Sequence, residues 1–307
     1  MMKVTYSFLS VGLSLILLTG GCSFMGGFED KDKKAAKSSQ EQDIYASVQE
    51  YTGEGFYLPN SSPVTVELAK KHKDEITKAV EEFFMSNYKT PVTVHNLVGA
   101  QDAISVFVES KGEPHFYTLA IVPVNLSDEE VLLDKVAPLE GEIENSIQSG
   151  LYGMIYKEGL EQLDDYIEDV QKRFPVTTKQ KEAIENTQAT GFTKPAYYIS
   201  NFDQSLEELS DRYIENPMDV KNLIISGDTP SLDPMKINIT ISLFMNTANE
   251  QPRQNIINQI SEEIKKNRNL PPGIYNVILN DNQIIKRTGT GVKDNSLKTV
   301  DESIIIR

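Results

Sequence analysis

A single cysteine, Cys22, occurs in the 307 residues, so no intramolecular disulfide can brace the fold. The chain must hold together by an apolar core, and its length permits that as one large domain or two smaller ones. The position of the cysteine adds a second constraint. Lys3 precedes an apolar run from Phe8 to Leu18, and Gly20-Gly21 stand directly before Cys22. This charged–apolar–small order is that of a secretory signal. No A-x-A-like cleavage site is present. Small residues instead lead into a thiol that can take a diacylglycerol, the order that bacterial lipoprotein processing requires. Residues 1–21 are therefore read as a lipoprotein signal peptide and Cys22 as the lipidated residue, S-diacylglyceryl with a further N-acyl group as an option. Two or more acyl chains on one residue hold a protein on a bilayer, where one chain binds only marginally. Two competing readings are weaker. Val4 to Gly21 lies at the lower length limit of a membrane span and is interrupted by Ser, Thr and Gly. An incidental buried thiol would not fall at this place by chance.

The formal charge of −15 works against nucleic acid and anionic headgroups as partners. The expected partners are the membrane, through the lipid on Cys22, and an envelope or surface protein; no nucleic acid and no cofactor is expected. The expected location is the extracytoplasmic face of the cell membrane.

Residues 22–50 are polar, with the run Glu29-Asp30-Lys31-Asp32-Lys33-Lys34, and read as a flexible tether. Tyr51-Thr52-Gly53-Glu54-Gly55-Phe56-Tyr57-Leu58-Pro59 cannot be a long helix and reads as an extended arm on the first lobe. Ser62-Pro63 starts a helix by capping and by proline at its first position. Leu68, Ile76, Val80, Phe83 and Phe84 continue it at helical spacing to Tyr88. Strands follow at 92–98, 104–109 and 115–124, joined by turns short enough for hairpins. Amphipathic helices are expected over 143–155 and 160–174, a short strand at 196–199, and a short helix from Leu206 that stops near Asn216-Pro217. Ile237 to Met245 alternates as a strand. Ile256, Ile257, Ile260 and Ile264 form a helical stripe, and Ile274 to Leu279 is expected to pair with Gln283 to Lys286 as a hairpin. Helix–Pro–strand–turn–strand thus recurs near 65–109 and 253–288 without any repeat of residues. The expected fold is α+β, antiparallel sheets with amphipathic helices packed on them, in two lobes at 51–175 and 176–307.

The chain holds three histidines. His95 and His115, with Glu109 or Glu113, are the natural metal candidates. On strands one and three of a meander, however, they would stand about 10 Å apart, two inter-strand spacings, beyond the reach of one ion with bonds near 2 Å. His72 belongs to the first helix. Thr288-Gly289-Thr290-Gly291 lacks a following helix and reads as a surface turn rather than a phosphate cradle. Glu161, Asp164, Asp165, Glu168 and Asp169 read as a solvated acidic helix face without calcium-loop spacing. Gly150 and Gly153, costly within a helix, mark a close helix-on-sheet contact, the favoured reading, or the approach of a ligand to the backbone. No G-x-S-x-G or S-x-x-K is present. No catalytic, metal or cofactor residue is assigned, and Cys22 is the one site residue.

The leader, the Tyr51–Pro59 arm, Val108-Glu109-Ser110-Lys111-Gly112-Glu113-Pro114-His115-Phe116 and Ser149-Gly150-Leu151-Tyr152 together resemble a family of uncharacterised Gram-positive lipoproteins, over nearly the whole mature chain. The resemblance implies a lipid anchor at Cys22 on the outer face of the cell membrane and brings no activity. The expected role is a membrane-tethered, non-enzymatic binding or interaction module. The alternatives are an envelope-remodelling hydrolase with an unrecognised site, or a solute-binding lipoprotein.

Overall fold

The computed structural model describes residues 44–299 and 304–307; Cys22 and the leader lie outside the described residues. Residues 40–307 group into one compact unit, and the 175/176 boundary of the two-lobe reading falls inside it.

The first strand, β1 (Tyr45–Ser47), already belongs to the folded body. Helix α1 (Pro63–Lys71) begins as its residues dictate, with Ser62 Oγ accepting from Val64 N at 3.2 Å and Pro63 in the first turn. The expected single helix is split. His72 has non-helical ψ, and α2 (Lys73–Tyr88) starts after it. The break lets both pieces keep an apolar face on β2 (Val92–Gly99). Strands β2, β3 (Ala103–Ser110) and β4 (Tyr117–Asn125) form the expected antiparallel meander, and β5 (Glu130–Val131) and β6 (Ala137–Pro138) pair on β4. Next come α3 (Glu142–Ile155), α4 (Lys157–Arg173) and β7 (Val176–Thr177). Helix α5 (Lys181–Thr187) forms in a stretch for which the sequence placed no element.

Strands β8 (Thr193–Lys194) and β9 (Tyr197–Asn201) lead into α6 (Gln204–Glu215). Pro217 stops α6 and also opens α7 (Pro217–Ser226), which the sequence reading had not placed; a proline that ends one helix is well suited to the first position of another. Strand β10 (Ile237–Met245), α8 (Gln254–Lys266) and β11 (Gly273–Asn280) follow, then β12 (Gln283–Ile285), β13 (Leu297–Lys298) and β14 (Ile304–Ile306).

The second sheet runs β13-β11-β10-β9-β8, with β14 also on β11 and β7 on β10. Here the expected hairpin of 274–279 with 283–286 does not form. Strand β11 lies parallel to β10 through the α8 crossover, and β12 pairs with β1 instead. The physical reason lies in Asn280 and Asn282, which are buried rather than displayed on a turn. Asn280 Nδ2 donates to Leu243 O at 3.1 Å and Asn282 Nδ2 to Met245 O at 2.9 Å, tying the segment to the end of β10. The recurrence near 65–109 and 253–288 is therefore one of element order and not of pairing.

With eight helices and mostly antiparallel open sheets among the described residues, the class is α+β. One apolar core joins both sheets, including Val106 and Val108 of β3, Ile147 and Leu151 of α3, Ile239 and Ile241 of β10, and Val277 of β11. Helix α3 packs against both β4 and β9 and so couples the two sheets.

A smaller cluster of Val48, Tyr51, Ala183, Phe244 and Ile284 takes in the end of the expected tether, whose residues 22–43 lie outside the described residues. Residues 45–50 are not loose chain, because β1 pairs on β12 and Val48 is wholly buried. The arm after it spans more than the first lobe. Tyr51 Oη donates to Lys286 O at 2.7 Å, while the Phe56 ring meets Phe107 of β3 edge-on at 5.6 Å.

Candidate functional site

The meander gathers the chain's acid–base chemistry around Glu109 on its central strand. Strand order is as expected, yet both outer histidines reach this one carboxylate. His95 Nε2 lies 2.9 Å from Oε2 and His115 Nε2 lies 2.9 Å from Oε1. Two departures from a regular lattice make this possible. The β2–β3 register shifts between Val94 and Asn96, leaving His95 as the extra residue of a bulge, and bulges re-aim side chains. His115 stands before β4, in the turn. The expected 10 Å separation counted strand spacings and overlooked that a Glu between the two histidines can touch both. Glu113, the other carboxylate considered, instead accepts from the His115 backbone N–H at 3.1 Å.

Three further members escaped the sequence reading. Tyr117 Oη donates to Glu109 Oε1 at 3.1 Å. Helix α5 brings Lys181, whose ammonium lies 3.6 Å from Glu109 Oε2 and also pairs with Glu185. The spacing of Lys181 and Glu185 by four residues suits a helix and is a sequence signal that could have found it. Helix α5 is held over the meander by Asn96 Nδ2 donating to Asn186 O and Asn186 Nδ2 donating to Thr52 O, both at 2.8 Å. Burial works to raise the Glu109 carboxyl, but hydrogen bonds from His115 and His95 and the Lys181 charge outweigh it and hold it below the usual carboxylate value. Burial, reinforced by the Glu109 charge, raises the Tyr117 phenol, which stays protonated as a donor.

Ile184 of α5 also lines a cavity of about 310 Å³, which lies between the β8–β9 hairpin and the loop 289–292. Lys179, Thr190, Thr193, Tyr198, Ser242 and Thr290 give it polar groups, and Ile184, Pro195, Ala196, Ile278 and Val292 give it apolar wall. Among the described residues no aspartate or glutamate lines it. Lys179 Nζ donates to Gly289 O at 2.9 Å, and among the described residues no carboxylate pairs with it. Burial pushes its ammonium down to about 8. The second lysine of the wall, Lys194, is neutralised by Asp164. Nothing in local sequence singled out Lys179; its setting comes from the Thr288–Gly291 loop folding over it. That loop is a turn, with Gly289 at φ +63°, but it also closes the cavity.

The remaining candidates resolve as packing. A Cβ at Gly150 would lie 2.9 Å from His115 O, and one at Gly153 would lie 2.5 Å from the Phe192 ring, so both glycines serve close approach of α3. The acidic face of α4 is partly spent on structure, since Asp164 accepts from Tyr197 Oη at 2.9 Å and Asp169 from Arg173 Nε at 2.7 Å. His72 pairs with Glu75 on the surface of α2.

Among the described residues no helix is long and apolar enough to cross a membrane. No curated protein matches this chain. A solved structure, a DUF1672 family protein from Staphylococcus aureus, is similar in fold, with a TM-score of 0.66 and 21% identity over 86% of this chain and 98% of that one. The model of the DUF1672 family, described as a protein of unknown function, matches residues 38–307 and so spans both the Glu109 cluster and the Lys179 cavity: the chain belongs to the DUF1672 family.

Proposed function

We propose that the protein is a lipid-anchored binding module of the extracytoplasmic face of the cell membrane, and that its ligand seat is the Lys179 cavity. The observation that carries the binding site is an ammonium without a carboxylate partner at the wall of an acid-free cavity, in a chain of net charge −15. Burying such a charge without a counter-ion costs stability, and groups held at that cost concentrate at functional sites. The ammonium, the hydroxyl-bearing Thr190, Thr193 and Thr290 and the apolar residues that share the lining suit a small ligand with an anionic head and a short apolar body. The volume lies at the lower end of small-molecule sites. The anchor rests on the leader, on Cys22 and on the lipoprotein resemblance.

The two halves are tested separately. For the seat, hexanoate and the neutral analogue hexanol are titrated by calorimetry into the full chain in nanodiscs, with empty nanodiscs as blank. Hexanoate should bind better than hexanol, and Lys179→Met should weaken it at least about tenfold, or 1.4 kcal/mol. Equal binding of acid and alcohol would refute the anion seat. For the anchor, Cys22→Ala should move the chain from the membrane to the soluble fraction with loss of lipid labelling; unchanged retention would refute lipidation.

A further inference from the structure

The Glu109 cluster is separate from the anion seat, and its donors have a different chemistry. We infer that His95, Glu109 and Glu185 form a site for a divalent transition metal ion of the zinc type. One ligand atom from each lies within 4.8 Å of the other two. Ligand atoms around a tetrahedral zinc with bonds of about 2.0–2.2 Å are separated by about 3.4 Å. The widest gap therefore closes by at most about 1.5 Å of side-chain rotation. His95 Nε2 and Glu109 Oε2, hydrogen-bonded at 2.9 Å, open by about 0.5 Å to take the ion between them. An imidazole with carboxylates selects zinc and its neighbours over calcium or magnesium, which prefer all-oxygen shells.

The two oxygens of Glu109 have divided roles. Oε1 accepts from His115 Nε2 and Tyr117 Oη, at 2.9 and 3.1 Å. These bonds fix the carboxylate plane as outer-shell partners of metal ligands do. Oε2 faces His95 and the Lys181 ammonium. Lys181 touches both Glu109 and Glu185, so a cation already sits between the two carboxylates. That cation is held on a side chain 62% exposed, whereas the three ligands are each under 20%. An ammonium on a flexible stem can leave for solvent, and a divalent ion of higher charge can take its place. Three protein ligands leave a position open for water or for a group of a partner.

The test uses the full chain in nanodiscs, stripped of metal by chelator and titrated with Zn²⁺ against a competing fluorescent chelator. One ion per chain is expected, with X-ray absorption showing imidazole nitrogen at about 2.0–2.1 Å. His95→Gln and Glu185→Gln should each weaken binding at least tenfold. His115→Gln should weaken it about 10–100-fold through the loss of an outer-shell bond. Lys181→Met should strengthen it by removing the competing cation, and His72→Gln should leave it unchanged. Lys181 is 62% exposed, so its variant keeps the test decisive if His95→Gln fails to fold. No stoichiometric zinc, binding indifferent to Glu185→Gln, or binding lost in His72→Gln would each overturn the site.

Discussion

Gly153→Ala separates what a helix wants from what this fold allows. In an isolated helix the change stabilises by about 1 kcal/mol, because alanine gives up less backbone entropy. Here the new Cβ falls 2.5 Å from two carbons of the Phe192 ring. The ring cannot retreat easily. It is 6% exposed, stacks on Tyr197 at 6.4 Å and meets His115 edge-on at 5.9 Å. Overpacking a tight core costs about 1–3 kcal/mol, and an overlap with two ring carbons belongs at the upper end, about 3 kcal/mol. After the helix gain of about 1 kcal/mol, the net loss is about 2 kcal/mol. In a body of this size that lowers Tm by about 4–8 °C. Urea unfolding and calorimetry of the wild type and the variant measure it directly. A double-mutant cycle with Phe192→Leu locates the cause. The pair should cost less than the sum of the singles by about 1–2 kcal/mol, since the smaller side chain makes room for the methyl. A neutral or stabilising Gly153→Ala, or strictly additive effects, would refute the assignment of Gly153 to close packing of α3 on Phe192.

Two further outcomes follow from buried groups. The unfolded chain keeps the Lys179 proton up to its ordinary value of 10.5, while the folded chain releases it near 8. Between those values the unfolded state binds the extra proton, so this residue's contribution makes stability rise with pH. Wild type should gain on Lys179→Met by about 1–2 kcal/mol across that window, allowing for the lysine's partial contact with solvent; a flat difference in chemical unfolding would remove the buried-ammonium argument. Val48→Ala should cost about 1–3 kcal/mol because Val48 is fully buried between β1 and the end of β10 and β12; a loss under about 0.5 kcal/mol would return residues 45–50 to the tether.

Much of the architecture was legible in the sequence because it is written in short-range periodicity. Alternation in 92–98 and 104–109, the helical stripe at Ile256, Ile257, Ile260 and Ile264, and the capped start at Ser62-Pro63 each depend on neighbours within a few residues. So does the reading of Cys22, which lies outside the described residues and stands on sequence order alone. Helix α5 was missed because a seven-residue helix has too few turns to show a stripe. The false hairpin at 280–282 came from reading Asn-Asp-Asn as a solvent turn; its asparagines instead satisfy the backbone of β10, a partner about forty residues away.

The candidate sites were hardly legible at all. Sequence alone named His95, Glu109 and His115 as residues of the right chemistry and then separated the histidines by strand geometry. Only the tertiary structure supplied the bulge at His95, the central placement of Glu109, and α5 with Lys181 and Glu185 across from them. It likewise decided that Lys179 is covered by the Thr288–Gly291 loop and that Gly153 faces a ring. Periodicity reports which face of an element is apolar, because that follows from the local repeat. Convergence of side chains is set by which elements pack together, and that depends on contacts far apart in the chain.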